Sequence, residues 1–442
     1  MTTDASIQIP WGKESLSLSL PETWQLAGVL KPASATIIEA VGAEVERALA
    51  HPVGMPGLDA LARPGIKVVI VMDDGSRPTP VAQILPTVVR VLEGCGVTRE
   101  QITLVPAIGL HRAMEADEIV QRAGIAGLHW ENPDCDDPEK MVMLGTTSRG
   151  SPVWINKTVA AADLVISIGC IEPHIIASFG GGYKNIVPGV AGRATVAHNH
   201  SLNCTDGTFN MVGQPIDHNP MRLDLEEAAG MLSKQPHHPQ MFIINAILDY
   251  NQKVIQIVAG DPVAAHRSGS DISAGLYGVT LDHPADVVIS CSSPMDQDLR
   301  QGVKALANTV RAVKPGGVMI ILVRAEEGVG VFGLANQKLP LGHNGFQTLA
   351  PVLVHLVPRL KIKGLGEEDR FFLYFALQAM RRAQLIMYAP TIPAETQQSL
   401  PFVSFSQTVE EAVQIARRKF PRKAEVLVFP NGGITYPILT GQ

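Results

Sequence analysis

The chain has 442 residues, more than one hydrophobic core usually supports, so two domains of ordinary size are expected. Apolar residues make up 46% and charged residues 18%, which suits packed cores and excludes a disordered chain. A formal net charge of -6 without a long Lys/Arg run argues against a phosphate-backbone binder, so a small ligand is expected and no nucleic acid.

Cys95, Cys135, Cys170, Cys204 and Cys291 are odd in number, widely spaced and free of any C-x-x-C pair. Neither a disulfide framework nor a thiolate zinc site is suggested, and a reducing compartment fits. The N-terminal MTTDASIQIPWGKESLSL has acids where a signal peptide has a basic start and an apolar run. No stretch approaches the roughly 20 unbroken apolar residues of a membrane helix. The protein is therefore expected to be cytoplasmic, with no membrane attachment.

In chain order, three short β-branched runs end abruptly in polar or Gly/Pro residues: IKVVIVMDDGSRP (66–78), QITLVPAIGLHR (101–112) and ADLVISIGCIEPH (162–174). Apolar runs of this kind, separated by helical stretches, read as parallel strands buried on both faces. VAQILPTVVRVLEGCG has apolar residues at helical spacing and can end at Gly94 or Gly96. FIINAILDYNQKVIQIVAGDP reads as a hairpin around Asp249, Tyr250 and Asn251 that closes the first domain. A second series follows, ADVVISCSSP (285–294), GGVMIILVRAEEG (316–328), AQLIMYAP (383–390) and AEVLVFPNGG (424–433). The class is α/β, with two domains of mainly parallel sheet. The expected division is 1–262, a linker at 263–284, and 285–427, with the terminal segment 428–442 free to return to the first domain. In this division all four Trp lie in the first domain.

Each strand delivers polar residues to the carboxyl edge of its sheet, where open α/β folds bind ligands. After the first strand, DDGSRPTP places Asp73, Asp74, Ser76, Arg77 and Thr79; Arg77 can grip a carboxylate or phosphate through paired hydrogen bonds, or the turn can simply be capped before a helix near Pro80. His111 and His174 follow two other strands and fall at the same edge, so they can flank one ligand or be unrelated strand-end histidines. Inversion of a stereocentre through a planar intermediate needs proton donors and acceptors on opposite sides.

GCIEPHIIASFGGGYKNIVPGVAGRATVAHNH is denser in Gly, His and Lys than a plain core requires. Gly180, Gly181 and Gly182 permit close backbone approach, and Lys184 offers an amine for a phosphate or a covalent adduct. A flexible Gly loop with a solvated Lys is the plainer possibility. Neither a Walker A ending nor a G-x-G-x-x-G fingerprint is present. His198 and His200 sit two apart, which shares a face on a strand and splits across a helix, so one of them is expected to point at a given site. In DQDLRQGVK, Arg300 and Lys304 share a helix face, with Gln301 adjoining; a solvated helix start reads equally well.

Taken together, DDGSRPTP, AIGLHR, GCIEPHIIASFGGGYKNIVPG, HNH, PMDQDLRQGVK and FPNGGITYP resemble the lactate racemase family, and they run in family order over nearly the whole chain. The resemblance implies a nickel-pincer nucleotide, pyridinium-3-thioamide-5-thiocarboxylic acid mononucleotide, linked covalently to Lys184, with His200 as the protein's ligand to nickel. It implies His111 and His174 as the acid/base pair, and Arg77, Gln301 and Lys304 as the groups orienting the substrate. Asp74, Ser76 and the glycines 180–182 are candidates for holding the mononucleotide. The implied reaction is racemisation or C2 epimerisation of a 2-hydroxy acid, with hydride leaving and returning through a planar 2-keto acid. The implied site lies in the cleft between the domains, and the implied partners are cofactor-biosynthesis proteins.

Two departures bear on substrate. Arg300 stands where the lactate enzymes carry Tyr, and their Trp-containing stretch has no counterpart in GHNGFQTLAPVLVHL or beyond. A larger or more polar substrate is expected, a sugar acid or a hydroxy diacid, with Arg300 among its contacts. The competing readings are a metal-free phosphate-binding transferase or lyase using the Gly-rich loop and Lys184, and a non-catalytic carrier or sensor of the same cofactor.

Overall fold

The computed structural model describes residues 6–237, 239–330, 333–336, 341–359 and 366–440, so the first five residues of the N-terminal stretch lie outside it. The chain forms two compact units: Ser34–Leu202 with Gln214–Leu276, and Met1–Ala33 with Asn203–Gly213 and Tyr277–Gln442.

The unit containing Lys184 has a six-stranded sheet among the described residues. Its spatial order is Val254–Gly260, Gln240–Leu248, Leu164–Cys170, Val68–Asp73, Ile102–Ala107 and His129–Trp130. All neighbours are parallel except the hairpin formed by the first two. The hairpin turns where expected, because the Asp249 carboxylate accepts from the amides of Asn251 at 2.9 Å and Lys253 at 2.8 Å. Val68–Asp73 and Leu164–Cys170 are buried at every position, as centrally placed parallel strands should be. The helix Val81–Gly94 lays Ile84, Leu85, Val88 and Leu92 on the core and stops before Gly96, whose φ of +83° suits glycine.

The other unit carries a second six-stranded sheet among the described residues, parallel throughout. Its order is Ser404–Ser406, Ala383–Tyr388, Val313–Leu322, Ala285–Cys291, Ala424–Phe429 and Trp24–Val29. The sequence division fails here in three places. Trp24–Val29 pairs with Ala424–Phe429, so the first 33 residues belong to this unit. The expected linker 263–284 is mostly regular structure, the helix Ala264–Tyr277 and the strand Gly278–Leu281. The terminal strand Tyr436–Leu439 pairs with that strand inside the same unit, so residues 428–442 do not return to the Lys184 unit.

The placement of tryptophan changes accordingly. Trp24 is buried in the second core and its indole donates to Phe420 O at 3.0 Å, while Trp11 stacks on Tyr388 with ring centroids 5.7 Å apart. Two of the four Trp thus belong with the C-terminal sheet. Periodicity could not reveal this, since strand pairing over some 400 residues leaves no local trace. Among the described residues no helix is long and apolar enough to cross a membrane.

Candidate active site

The carboxyl ends of Val68–Asp73, Ile102–Ala107 and Leu164–Cys170 are neighbours in the sheet, so the segments that follow them are brought to one edge. In the first, buried Asp73 accepts the Thr79 hydroxyl, and Arg122 ties the turn down through Asp73 O at 3.1 Å and Arg77 O at 2.9 Å. Arg77 Nη1 lies 2.8 Å from Oε1 of Glu172. This partly buried ion pair holds the guanidinium at the edge and leaves its other nitrogens without a protein partner among the described residues.

Asp74 is tied to two neighbours. Its Oδ2 is 2.7 Å from His111 Nδ1, and its Oδ1 accepts from the Ser76 hydroxyl at 2.5 Å and amide at 3.1 Å. Burial alone would raise the Asp74 carboxyl, but the hydrogen bond and charge of His111, with Ser76 and Arg77, hold it below the usual carboxylate range. Asp74, braced by Ser76, thus supports His111. His174 sits on a two-residue ribbon, Pro173–His174 against Ser178–Phe179, and its Nδ1 accepts from the amides of Ile176 at 3.3 Å and Ala177 at 3.2 Å.

The Gly-rich segment is fixed from outside by side chains that the sequence did not single out. Arg222, fully buried, donates through Nε to Ala177 O at 3.3 Å, through Nη1 to Gly181 O at 3.2 Å and through Nη2 to Phe179 O. His266 Nε2 meets Gly180 O at 2.9 Å, and Asn245 Oδ1 accepts from Gly182 N at 2.8 Å. The amide of Gly180 donates to Glu172 O at 2.8 Å. A Cβ at Gly181 or Gly182 would come within 2.8 Å of Asn245 or 2.9 Å of His266. Gly181 and Gly182 thus press closely against protein. Ser178 is a buried non-glycine residue at φ +62°, held there by Asn219 Nδ2 3.0 Å from its hydroxyl.

Lys184 follows on the short turn Gly182–Asn185. Burial, followed by the cationic Arg77 and Arg222, pulls its amine down to about 7, against the opposing charges of Asp73 and Glu172. The loop continues into the His111 turn: Gly109 N donates to Gly189 O at 2.8 Å, and a Cβ on Gly189 would lie 2.7 Å from Ala107. One connected backbone therefore supports Lys184, His111 and His174.

His198 and His200 lie on the helix Arg193–Ser201, so they diverge. His198 is bound 3.0 Å from Arg149 O, whereas His200 is half-buried. Between them Asn199 is wholly buried and anchors the helix to Met221 O at 2.9 Å and Asp224 Oδ2 at 2.8 Å. Among the described residues no group of three or more His, Cys, Asp or Glu is gathered to hold a metal. A metal here would take one imidazole from this chain and its remaining donors from elsewhere.

Arg300, Gln301 and Lys304 belong to the other unit, after the carboxyl end of Ala285–Cys291. They do not share one continuous helix. Leu299–Gly302 is capped by Asp298, which accepts from Gln301 N at 2.7 Å, and a new short helix, Lys304–Thr309, starts after Val303. Lys304 Nζ is 3.7 Å from Met295 Sδ.

Residues 11–210 match the model of the lactate racemase N-terminal domain, and residues 281–435 that of the C-terminal domain. The chain belongs to the lactate racemase family. It is 30% identical to the lactate racemase of Thermoanaerobacterium thermosaccharolyticum over 333 residues, 74% of this chain and 76% of that one. Against the lactate racemase of Lactiplantibacillus plantarum it is 28% identical over 441 residues, covering 97% and 98% of the two chains. Its fold matches the lactate racemase apoprotein from T. thermosaccharolyticum with a TM-score of 0.82 at 26% identity, covering 98% of this chain and all of the other. A Thermotoga maritima protein solved by structural genomics has the same fold, with a TM-score of 0.63 at 16% identity over 92% of this chain.

As a lactate racemase family member the chain is an isomerase acting on a hydroxy acid. Three of the family motifs, DDGSRPTP, AIGLHR and GCIEPHIIASFGGGYKNIVPG, follow the strands that meet at the first sheet edge. The supports outside them, Arg122, Arg222, Asn245 and His266, were missed. Each is a single polar residue in an otherwise apolar or helical run, and only the fold reveals that Arg122 holds the Arg77 turn and the other three the Gly-rich segment.

Proposed function

We propose that this protein racemises or epimerises a 2-hydroxy acid at C2, using a nickel-pincer nucleotide linked to Lys184, and that its substrate is larger or more polar than lactate. The observation that carries this reading is the Lys184 amine, drawn to about 7 by burial beside Arg77 and Arg222. At that value the unprotonated, nucleophilic form is abundant at neutral pH, as covalent attachment requires. His200 would supply the protein's donor to nickel, which agrees with a single half-buried imidazole on an anchored helix. Bound there, the cofactor would accept and return a hydride.

The chain's own residues do the remaining work. His111, backed by Asp74, takes the substrate's hydroxyl proton and is stabilised as an imidazolium by the carboxylate. His174 serves the hydroxyl on the opposite side of the planar keto acid. Arg77, held by Glu172, offers its remaining nitrogens to the substrate carboxylate. For Arg300, Gln301 and Lys304 we propose contacts to the carboxylate, the hydroxyl and the distal part of the substrate. Loading would depend on cofactor-building proteins, and the cytoplasm is the proposed compartment.

The preference for a larger substrate rests on Arg300 in place of Tyr. The tryptophan count no longer supports it, since Trp11 and Trp24 belong to the C-terminal unit. The phosphate-binding alternative is weakened because the Gly180 and Gly182 amides are already committed to protein acceptors. Chiral analysis of lactate, hydroxy diacids and aldonic acids incubated with loaded protein tests the proposal. Inversion of a polyhydroxy or dicarboxylic substrate faster than lactate is expected. Faster turnover of lactate than of every larger acid would overturn the substrate assignment.

A further inference from the structure

The two histidines at the sheet edge are held by opposite kinds of partner. His111 Nδ1 faces the Asp74 carboxylate at 2.7 Å, and a carboxylate can only accept. The hydrogen therefore sits on Nδ1, and the lone pair of the ring is on Nε2. His174 Nδ1 faces two backbone amides, Ile176 N at 3.3 Å and Ala177 N at 3.2 Å, and an amide N–H can only donate. Its lone pair is therefore on Nδ1, and the ring hydrogen is on Nε2. A proton added to His174 Nδ1 would point at two N–H groups, whereas a proton added to His111 Nε2 creates a cation beside an ionised carboxylate.

We propose that these surroundings preset the pair in complementary tautomers, His111 as base through Nε2 and His174 as hydrogen-bond donor through Nε2–H, with Asp74 as the positioning residue for His111. The inference rests on the acid/base reading of the two histidines and deepens it. The resting chain is poised for His111 to take the first proton. His174 frees Nε2 to act as a base, or takes up on Nδ1 the second proton it needs to act as an acid, only after giving up the amides of Ile176 and Ala177, so exchange of roles requires local movement of residues 174–177. Glu172 and Arg77 pair with each other on adjoining segments of the same edge.

The test uses the full chain labelled with 15N-histidine and prepared without the cofactor machinery, with signals assigned through His111→Gln and His174→Gln. Long-range proton–nitrogen correlation at neutral pH is expected to show a pyrrole-like Nδ1 for His111 and a pyrrole-like Nε2 for His174. Asp74→Leu should move both His111 nitrogens toward the averaged shifts of a tautomer mixture, while Asp74→Asn, which still presents an acceptor oxygen, should restore the Nδ1–H form. The His174 signals should stay in place in both variants and report an intact fold. A pyrrole-like Nε2 on His111, a pyrrole-like Nδ1 on His174, or an unchanged His111 in folded Asp74→Leu would overturn the proposal. If that variant fails to fold, the native tautomers alone decide. Since the sample carries no cofactor, failure of the Lys184 attachment is read separately, by mass, and neither result masks the other.

Discussion

Asn199 Nδ2 lies 2.8 Å from Asp224 Oδ2, and this contact sets the rotation of the helix that carries His200. Asp224 is wholly buried and also accepts the hydroxyls of Thr147 at 2.5 Å and Ser151 at 2.6 Å. With Asn199 turned inward, His198 meets Arg149 O and His200 is half-buried on another side of the helix. Asp224→Ala would take the acceptor from the Thr147 and Ser151 hydroxyls and one of two acceptors from Asn199, at about 1–3 kcal/mol for each lost bond before relaxation. A fall in the urea midpoint of at least about 3 kcal/mol equivalent is expected, with Asp224→Asn costing less.

Arg222 presents a second such device, one guanidinium spent on three carbonyls of the loop before Lys184. Arg222→Met removes all three bonds, and amide exchange across residues 177–183 should accelerate by tenfold or more while the sheet core stays protected. Uniform protection across that loop in the variant would show that the glycine packing alone fixes it.

The sign of the Lys184 shift makes a pH prediction. The folded chain releases this proton near 7, while an unfolded lysine keeps it to about 10.4. Between those values the unfolded state binds more protons, so this group's contribution lets stability rise with pH across the window; below 7 its penalty is fully present. Lys184→Met should abolish that slope relative to the native chain. Pulse labelling of Lys184 with an amine reagent should reach half-maximal rate near pH 7. Arg77→Met should move this midpoint up and Glu172→Gln should move it down, since they remove opposing charges.

For substrate binding, Lys304→Ala should raise KM for the hydroxy acid by about ten- to a hundredfold, the equivalent of one charge-assisted hydrogen bond, with a smaller loss in kcat. Arg300→Tyr should shift preference toward lactate, measured as the ratio of kcat/KM between lactate and the best larger acid.

The parallel strands were readable because Val68–Asp73 and Leu164–Cys170 are mostly apolar, and the polar turns that follow them marked the edge where the candidate site residues gather. The hairpin at Asp249 was readable for the same local reason. What was not readable depends on distant pairing. Trp24–Val29 adds to a strand near residue 424, so composition near the N-terminus carried no sign of its unit. The support Asp74 gives to His111 was not readable, because nothing in the spacing of residues 74 and 111 shows the 2.7 Å contact that the fold creates. At Gly181 and Gly182 the close packing was not readable either, because Asn245 and His266, which occupy the space their missing side chains leave, come from distant parts of the chain.

The most direct test of the account is the intact mass and nickel content of protein made alongside the cofactor-building proteins, with Lys184→Ala prepared in parallel. The account predicts a nickel-bearing covalent increment that maps to Lys184 and is absent from the variant. A native chain of unmodified mass and no bound nickel under those conditions would contradict it.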